Sequence, residues 1–229
     1  MSGGNTKKKR QARVFDLRLF PMDLGRAVSS PMLLFFRMKK IYLGDPQKWW
    51  DCRGGAVIAP NHTSFRDPFL LGCTFWMRRV FFLTGEIIMG GAVRDLLLRG
   101  MGCIKVRRGD AMDSAPIGKV LEVLKAGHCC AVFPQGQIER SGEIGAIKGG
   151  AVLIAAQAEV PVIPMYSRGR EHWWQRRTVI LGEPLYCHGT NGRSIPTRGE
   201  VDQLTEELRS RLERCKTLYD EIAAGGKER

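Results

Sequence analysis

Ala56-Val57-Ile58-Ala59-Pro60-Asn61-His62-Thr63-Ser64-Phe65-Arg66-Asp67-Pro68 is the stretch on which the reading of the fold turns. Its first four residues form an uninterrupted apolar run, the pattern of a strand buried on both faces. Asp67-Pro68 reads as a helix start, with Asp67 at the N-cap and Pro68 at the first helical position. A buried strand passing through a short loop into a helix is the opening half of a βα unit. The loop also holds chemistry, because His62 and Asp67 stand in a His-x4-Asp spacing. A histidine near neutrality takes a proton from a hydroxyl, and a carboxylate holds the imidazole in the tautomer that leaves its other nitrogen free. On these residues alone two readings stay open: a helix cap beside an ordinary loop histidine, or a general base with its partner.

Outward from this unit, strand-like and helix-like segments alternate. Strands are expected at 56–59, 79–84, 103–106, 129–133, 161–165 and 178–182, the last as an antiparallel edge. Helices fit between them at 67–77, 86–99, 112–126 and 149–159. A charged C-terminal helix at 199–223 carries Val201, Leu204, Leu208, Leu212, Leu218 and Ile222 on one face. Such alternation predicts an α/β fold with a mainly parallel mixed sheet flanked by helices. Residues 1–12, with Lys7-Lys8-Lys9-Arg10, read as a basic disordered tail. Residues 13–50, broken by Pro21 and Pro31, read as two short amphipathic helices, the second running from Pro31 to Tyr42. That second helix is apolar at the front and cationic at the back, which suits a membrane interface. Residues 51–229 form the remaining domain, and the whole is read as one domain.

The formal net charge of +13 implies an anionic partner, and no nucleic-acid motif accompanies it. The seven cysteines are scattered without a CxxC pair, so neither a zinc site nor a redox motif is indicated and a reducing compartment is expected. No apolar run reaches the roughly 20 residues that span a bilayer.

Two further loops follow predicted strands, where open α/β sheets place ligands. Gly102-Cys103-Ile104-Lys105-Val106-Arg107-Arg108 ends a strand in paired arginines, whose planar forks suit phosphate. Phe133-Pro134-Gln135-Gly136 ends another, and Gly145-Ala146-Ile147-Lys148-Gly149-Gly150 opens the next helix with glycines and a cation. Val160-Pro161-Val162-Ile163-Pro164 reads by itself only as a buried strand bounded by prolines.

In this order and spacing, the four motifs resemble the glycerolipid acyltransferase family, that of the lysophosphatidic acid (1-acyl-glycerol-3-phosphate) acyltransferases, over about residues 54 to 166. The resemblance implies that 51–229 is an acyltransferase domain, with His62 as general base and Asp67 as its partner. It implies that Arg108, with Lys105 nearby, binds the acceptor's phosphate, and that Phe133, Pro134, Gln135 and Gly136 meet the acceptor with Arg140 and Lys148 close by. Val160 to Pro164 would line or support the acyl site. The family's usual Phe-Pro-Glu-Gly-Thr-Arg stands here as Phe-Pro-Gln-Gly-Gln-Ile, and this departure bears on which acceptor is used. Gln135 is uncharged and is expected to bond an acceptor hydroxyl.

The expected reaction moves a fatty acyl group from acyl-CoA or acyl carrier protein to the hydroxyl of a lysophospholipid, 1-acyl-glycerol-3-phosphate first among them. No metal or cofactor beyond that acyl donor is implied, and backbone N–H groups around Gly136 are the candidate oxyanion donors. Peripheral attachment to an anionic membrane at its cytoplasmic face is expected. The alternatives are another lyso-lipid acceptor, a thioesterase- or lipase-type hydrolase, and a non-enzymatic basic membrane binder. Ser64 as a nucleophile is a lesser variant of the hydrolase reading.

Overall fold

A computed structural model describes residues 22–24, 27, 38–44, 54–85, 91–106, 115–168, 177–189 and 195–225. Along the chain run β1 (Met38–Tyr42), β2 (Ala56–Pro60), α1 (Asp67–Thr74), β3 (Val80–Gly85), α2 (Ala92–Gly100), β4 (Cys103–Val106) and α3 (Ala115–Lys125). They are followed by β5 (Cys129–Ala131), α4 (Gly150–Ala158), β6 (Pro161–Tyr166), β7 (Arg177–Leu181), β8 (Leu185–Tyr186) and α5 (Arg198–Gly225). The strands join in one sheet of order β1-β7-β6-β2-β5-β3-β4, with β8 also paired to β6. β2, β3, β4, β5 and β6 run parallel, while β7 and β8 pair with β6 antiparallel. The sheet is therefore mixed and mainly parallel, as its sequence pattern predicts.

β2 lies centrally between β5 and β6, and all five of its residues are buried. Its side chains divide strictly by parity. Val57 and Ala59 join the layer under α3, α4 and α5, with Val120, Leu124, Ile154, Leu208 and Leu212. Ala56 and Ile58 face the opposite layer with Leu70 and Leu71 of α1. Trimming a sealed residue such as Leu71 or Leu208 to alanine costs about 2–5 kcal/mol in cores of this kind.

Because the central strands are parallel, the loops after β2, β5 and β6 leave from one edge of the sheet. The Asn61 amide closes the gap between two of them. Its side chain donates to the Ser167 carbonyl and accepts the Ser167 N–H, both at 3.0 Å, in a buried reciprocal pair.

Pro164 stands inside β6, which continues two residues beyond it rather than ending there. A proline in a central strand removes a ladder donor. Here the carbonyl of Pro164 accepts Gly182 N–H at 2.9 Å. The β6–β7 register carried back one residue sets Gly182 opposite Pro164, one residue past the end of β7, so the missing donor falls at the break between the β7 and β8 pairings.

Three expectations are corrected. Met38–Tyr42, read as the back of an interfacial helix, is an edge strand in parallel register with β7, Met38 opposite Arg177 and Tyr42 opposite Leu181. β7 pairs antiparallel with β6 as foreseen but is not an edge, because β1 covers its other side. The strand expected at 129–133 ends at Ala131. Helical backbone is found at 22–24 and 27; the rest of the expected N-terminal helices and the basic tail lie outside the described residues. No described helix is long and apolar enough to cross a membrane.

Candidate active site

His62 lies two residues beyond β2. Its Nδ1 is 3.0 Å from Asp67 Oδ2. The same carboxylate oxygen accepts the backbone N–H of Thr63 at 2.7 Å and of Ser64 at 2.8 Å. An oxygen that receives two amide donors acts as an acceptor toward the ring as well, so Nδ1 carries the hydrogen and Nε2 keeps its lone pair. Asp67 is buried, and its other oxygen lies 4.0 Å from Arg177 Nη2 on β7.

Asp67 does not cap its helix. Arg66 occupies the N-cap position without a side-chain cap, and Asp67 begins α1 with its carboxylate turned back onto the loop. The tight turn that closes on Ser64, whose carbonyl accepts Asp67 N–H at 3.1 Å, directs the side chain toward the residues before it. The helix start is where the sequence put it to within one residue. The carboxylate serves the histidine loop instead of the helix.

The loop after β5 grips His62 from a second direction. Phe133 stacks on the imidazole with ring centroids 4.1 Å apart. Gln135 Oε1 accepts His62 N–H at 3.1 Å, and Glu139 N–H donates to the His62 carbonyl at 2.7 Å. Gln135 is buried, and its Nε2 donates to the Glu143 carbonyl at 3.0 Å. The amide expected to meet an acceptor hydroxyl is thus engaged at both ends within the protein. Gly136 takes φ = 67°, suited to glycine, and its N–H donates to the Phe133 carbonyl at 3.1 Å. That donor belongs to the turn and is not aimed at an oxyanion. Pro134 is buried, and its carbonyl accepts Lys148 N–H at 2.9 Å, which joins the start of α4 to this turn.

Residues 139–145 are tied down in turn. Tyr166 donates its hydroxyl to the Gly142 carbonyl at 2.8 Å, and burial pushes that phenol up to about 12 against the opposing pull of Arg168 and Lys216. Arg168 Nη2 donates to the Ser141 carbonyl at 2.6 Å. Lys216 of α5 reaches Glu143 at 3.3 Å and Asp220 at 2.8 Å, and the hydrogen bond to Asp220 raises its ammonium above the ordinary range. Gly142, at φ = 79°, holds a conformation suited to glycine, and a Cβ there would press on the Tyr166 hydroxyl and Arg168 Nε at 3.0 Å.

The cations divide. Lys148 is exposed, and its ammonium lies beside Gly136, 3.5 Å from where a Cβ would stand there. Arg140 is exposed in the same loop, next to the Glu139 that holds the His62 carbonyl. Lys105 is on β4, at the far edge of the sheet and three strands from β2, on the order of 14 Å away at ordinary strand spacing. The structure does not bring it to His62, and Arg108 lies outside the described residues. Pro161 to Pro164 are sealed in the sheet core. Ser64 Oγ accepts Arg66 N–H at 3.2 Å, and His62 Nδ1 is turned to Asp67, so no Ser–His pair is formed. Among the described residues no three metal-ligating side chains come together.

Arg177, Glu139 and the Asn61–Ser167 pair were not foreseen. Arg177 carries no motif; only its pairing position at the start of β7 brings it to Asp67. Asn61 stands within the quoted loop, but nothing in the sequence names its partner across the sheet.

The family model described as Acyltransferase matches residues 42–168. The chain is 25% identical to a 1-acyl-sn-glycerol-3-phosphate acyltransferase of Bacillus subtilis over 73% of its own length and 84% of that protein's. It is 28% identical to a chloroplastic enzyme of the same name from Arabidopsis thaliana, over 69% of its own length but 44% of the relative's. In structure it resembles the 1-acyl-sn-glycerophosphate (LPA) acyltransferase PlsC of Thermotoga maritima, with a TM-score of 0.56 and 18% identity, covering 88% of this chain and 79% of the other. That likeness bears on the fold.

Proposed function

The chain belongs to the acyltransferase family, and from that premise we propose that it moves a fatty acyl group from an acyl-CoA or acyl-carrier-protein thioester to the hydroxyl of a lysophospholipid, with His62 as general base. The relatives' names favour 1-acyl-glycerol-3-phosphate as acceptor and phosphatidate as product. The observation that carries the mechanism is the carboxylate oxygen of Asp67, shared by the Thr63 and Ser64 amides and the His62 ring. It fixes the tautomer before any substrate arrives. His62 Nε2 takes the acceptor's hydroxyl proton as the hydroxyl oxygen attacks the thioester carbon. The tetrahedral intermediate then expels the thiolate, which recovers that proton from the imidazolium. Asp67 stabilises the imidazolium through Nδ1, while its oxygens meet the Thr63 and Ser64 amides and lie within 4.0 Å of Arg177 Nη2. A base so placed contributes about 10²–10⁴-fold.

Lys148 and Arg140, exposed on the loop that grips His62, are suited to hold the acceptor's phosphate. Arg108 keeps the same role as a proposal from the family pattern. The +13 charge and the exposed Phe65, Phe69, Trp76 and Met77 around α1 support peripheral binding to an anionic membrane, the source of such an acceptor.

The test is thiol release from acyl-CoA with and without lysophosphatidate. The wild type should release thiol only with acceptor present, and His62→Ala should lose about 10²-fold or more. Release independent of acceptor would identify a hydrolase; full activity in His62→Ala would overturn the base assignment.

A further inference from the structure

The family pattern places a carboxylate at position 135, and this chain has an amide whose two ends do different jobs. Oε1 accepts His62 N–H at 3.1 Å, while Nε2 donates to the Glu143 carbonyl at 3.0 Å. We propose that Gln135 is a positioning residue: it sets the main chain of His62 against the 139–145 loop, and the site of this chain is built for an amide there. The inference rests on His62 being the base.

The physical case is one of donor and acceptor count. A carboxylate at 135 would keep the bond to His62 N–H with one oxygen. Its other oxygen would stand about 3 Å from the Glu143 carbonyl oxygen, two acceptors with no hydrogen between them. Gln135 is buried and its bond to the Glu143 carbonyl part-buried, so water relieves that clash only in part. The partner carbonyl sits in a loop whose preceding carbonyls, of Gly142 and Ser141, are held by Tyr166 and Arg168, which limits its withdrawal. The strain would therefore fall on the other end of the side chain, at His62. Protonation restores the amide's pattern, since a carboxylic acid donates from one oxygen and accepts on the other.

The experiment uses the full chain with Gln135→Glu and Gln135→Met beside wild type and His62→Ala, following acceptor-dependent thiol release from about pH 8.5 down to about pH 5.5. The titratable groups around position 135 are His62, Glu139, Glu143 and Lys148, with Arg140 a fixed charge beside them. Dividing each variant's rate by the wild-type rate at the same pH removes the titration they have in common. Near pH 8, Gln135→Glu should lose about 10-fold in kcat with acceptor KM within about twofold. Its ratio to wild type should then climb several-fold as the pH falls. Gln135→Met, which can do neither job, should be low in kcat throughout without recovery.

A ratio for Gln135→Glu that is flat with pH would overturn the proposal. So would a loss seen in acceptor KM alone, which would return Gln135 to the acceptor. If Gln135→Glu does not fold, judged by circular dichroism, Gln135→Met decides: wild-type kcat refutes the role, and low kcat with unchanged KM supports it. His62→Ala keeps the two hypotheses apart. Activity without His62 removes the base reading, whereas an inactive His62→Ala beside a flat Gln135→Glu ratio removes only the role of Gln135.

Discussion

Replacing Asp67 with asparagine changes one charge and almost no shape, and the geometry says what should follow. An amide oxygen in the place of Oδ2 still accepts from Thr63, Ser64 and the His62 ring, so the loop and the tautomer survive. What disappears is the charge facing His62 once it becomes an imidazolium. At the 3.0 Å separation observed, a unit pair is worth about 5.5 kcal/mol at an effective dielectric of 20, which sets a ceiling. The floor is the difference between a charge-assisted and a neutral hydrogen bond, about 1 kcal/mol. With Asp67 nearly sealed and His62 only slightly exposed, the loss should fall between these, at about 10²–10³-fold in kcat. Acceptor KM should stay within about twofold, because Asp67 acts through the imidazole rather than on substrate. Steady-state thiol release at saturating acyl-CoA measures both. Near-neutral pH suits the assay: burial pushes the thiols of Cys130 and Cys215 up to about 12 and of Cys187 to about 11, which keeps them out of a thiol-reagent readout. A kcat for Asp67→Asn within about threefold of wild type would refute the argument that this carboxylate stabilises the working base.

The raised acids also forecast stability. In the unfolded chain they lose protons first, near 9.0 for the thiols and 10.0 for Tyr166, so their stabilisation is complete below about pH 9 and lost as the pH rises toward about 12. The melting temperature should fall over that window, less steeply above pH 10 in Tyr166→Phe; a melting temperature flat from pH 9 to 11 would contradict it. Lys148→Ala should raise KM for lysophosphatidate by about 3- to 10-fold and leave a neutral monoacylglycerol acceptor unaffected; equal effects on both would separate Lys148 from phosphate. Binding to anionic vesicles should weaken with salt, and by about 10-fold in a Phe65→Ser, Met77→Ser double variant, whose side chains are 75% and 72% exposed in the wild type. Binding insensitive to both changes would place the membrane contact elsewhere.

The strands that sequence reveals best are those buried on both faces. Ala56–Pro60 and Pro161–Tyr166 announce themselves as apolar runs, and each was located to within a residue or so. Met38–Tyr42 did not, because an edge strand takes its hydrogen bonds from one neighbour. Its half-buried Met38 and Ile41 are three apart, which is a helical spacing. At the site, the His62–Asp67 pair is local and legible. Gln135 stands out in its motif, but its partners do not, since glutamine's donors and acceptors fit many partners until the fold shows the backbone N–H and carbonyl that engage them. Arg177 and Lys216 come from elements whose pairing no local pattern states.

Pro164 has a consequence for folding fidelity. Strands rich in valine and isoleucine pair promiscuously, and a sliding β6 would find apolar neighbours in many alignments. Its missing hydrogen falls at one place, the break between the β8 and β7 pairings; moved along the ladder, it would remove a bond from within a paired stretch. The proline thus penalises alignments that carry it into a paired stretch. Because Asn61 and Ser167 join the ends of β2 and β6, the same proofreading fixes the height at which His62 emerges from the sheet.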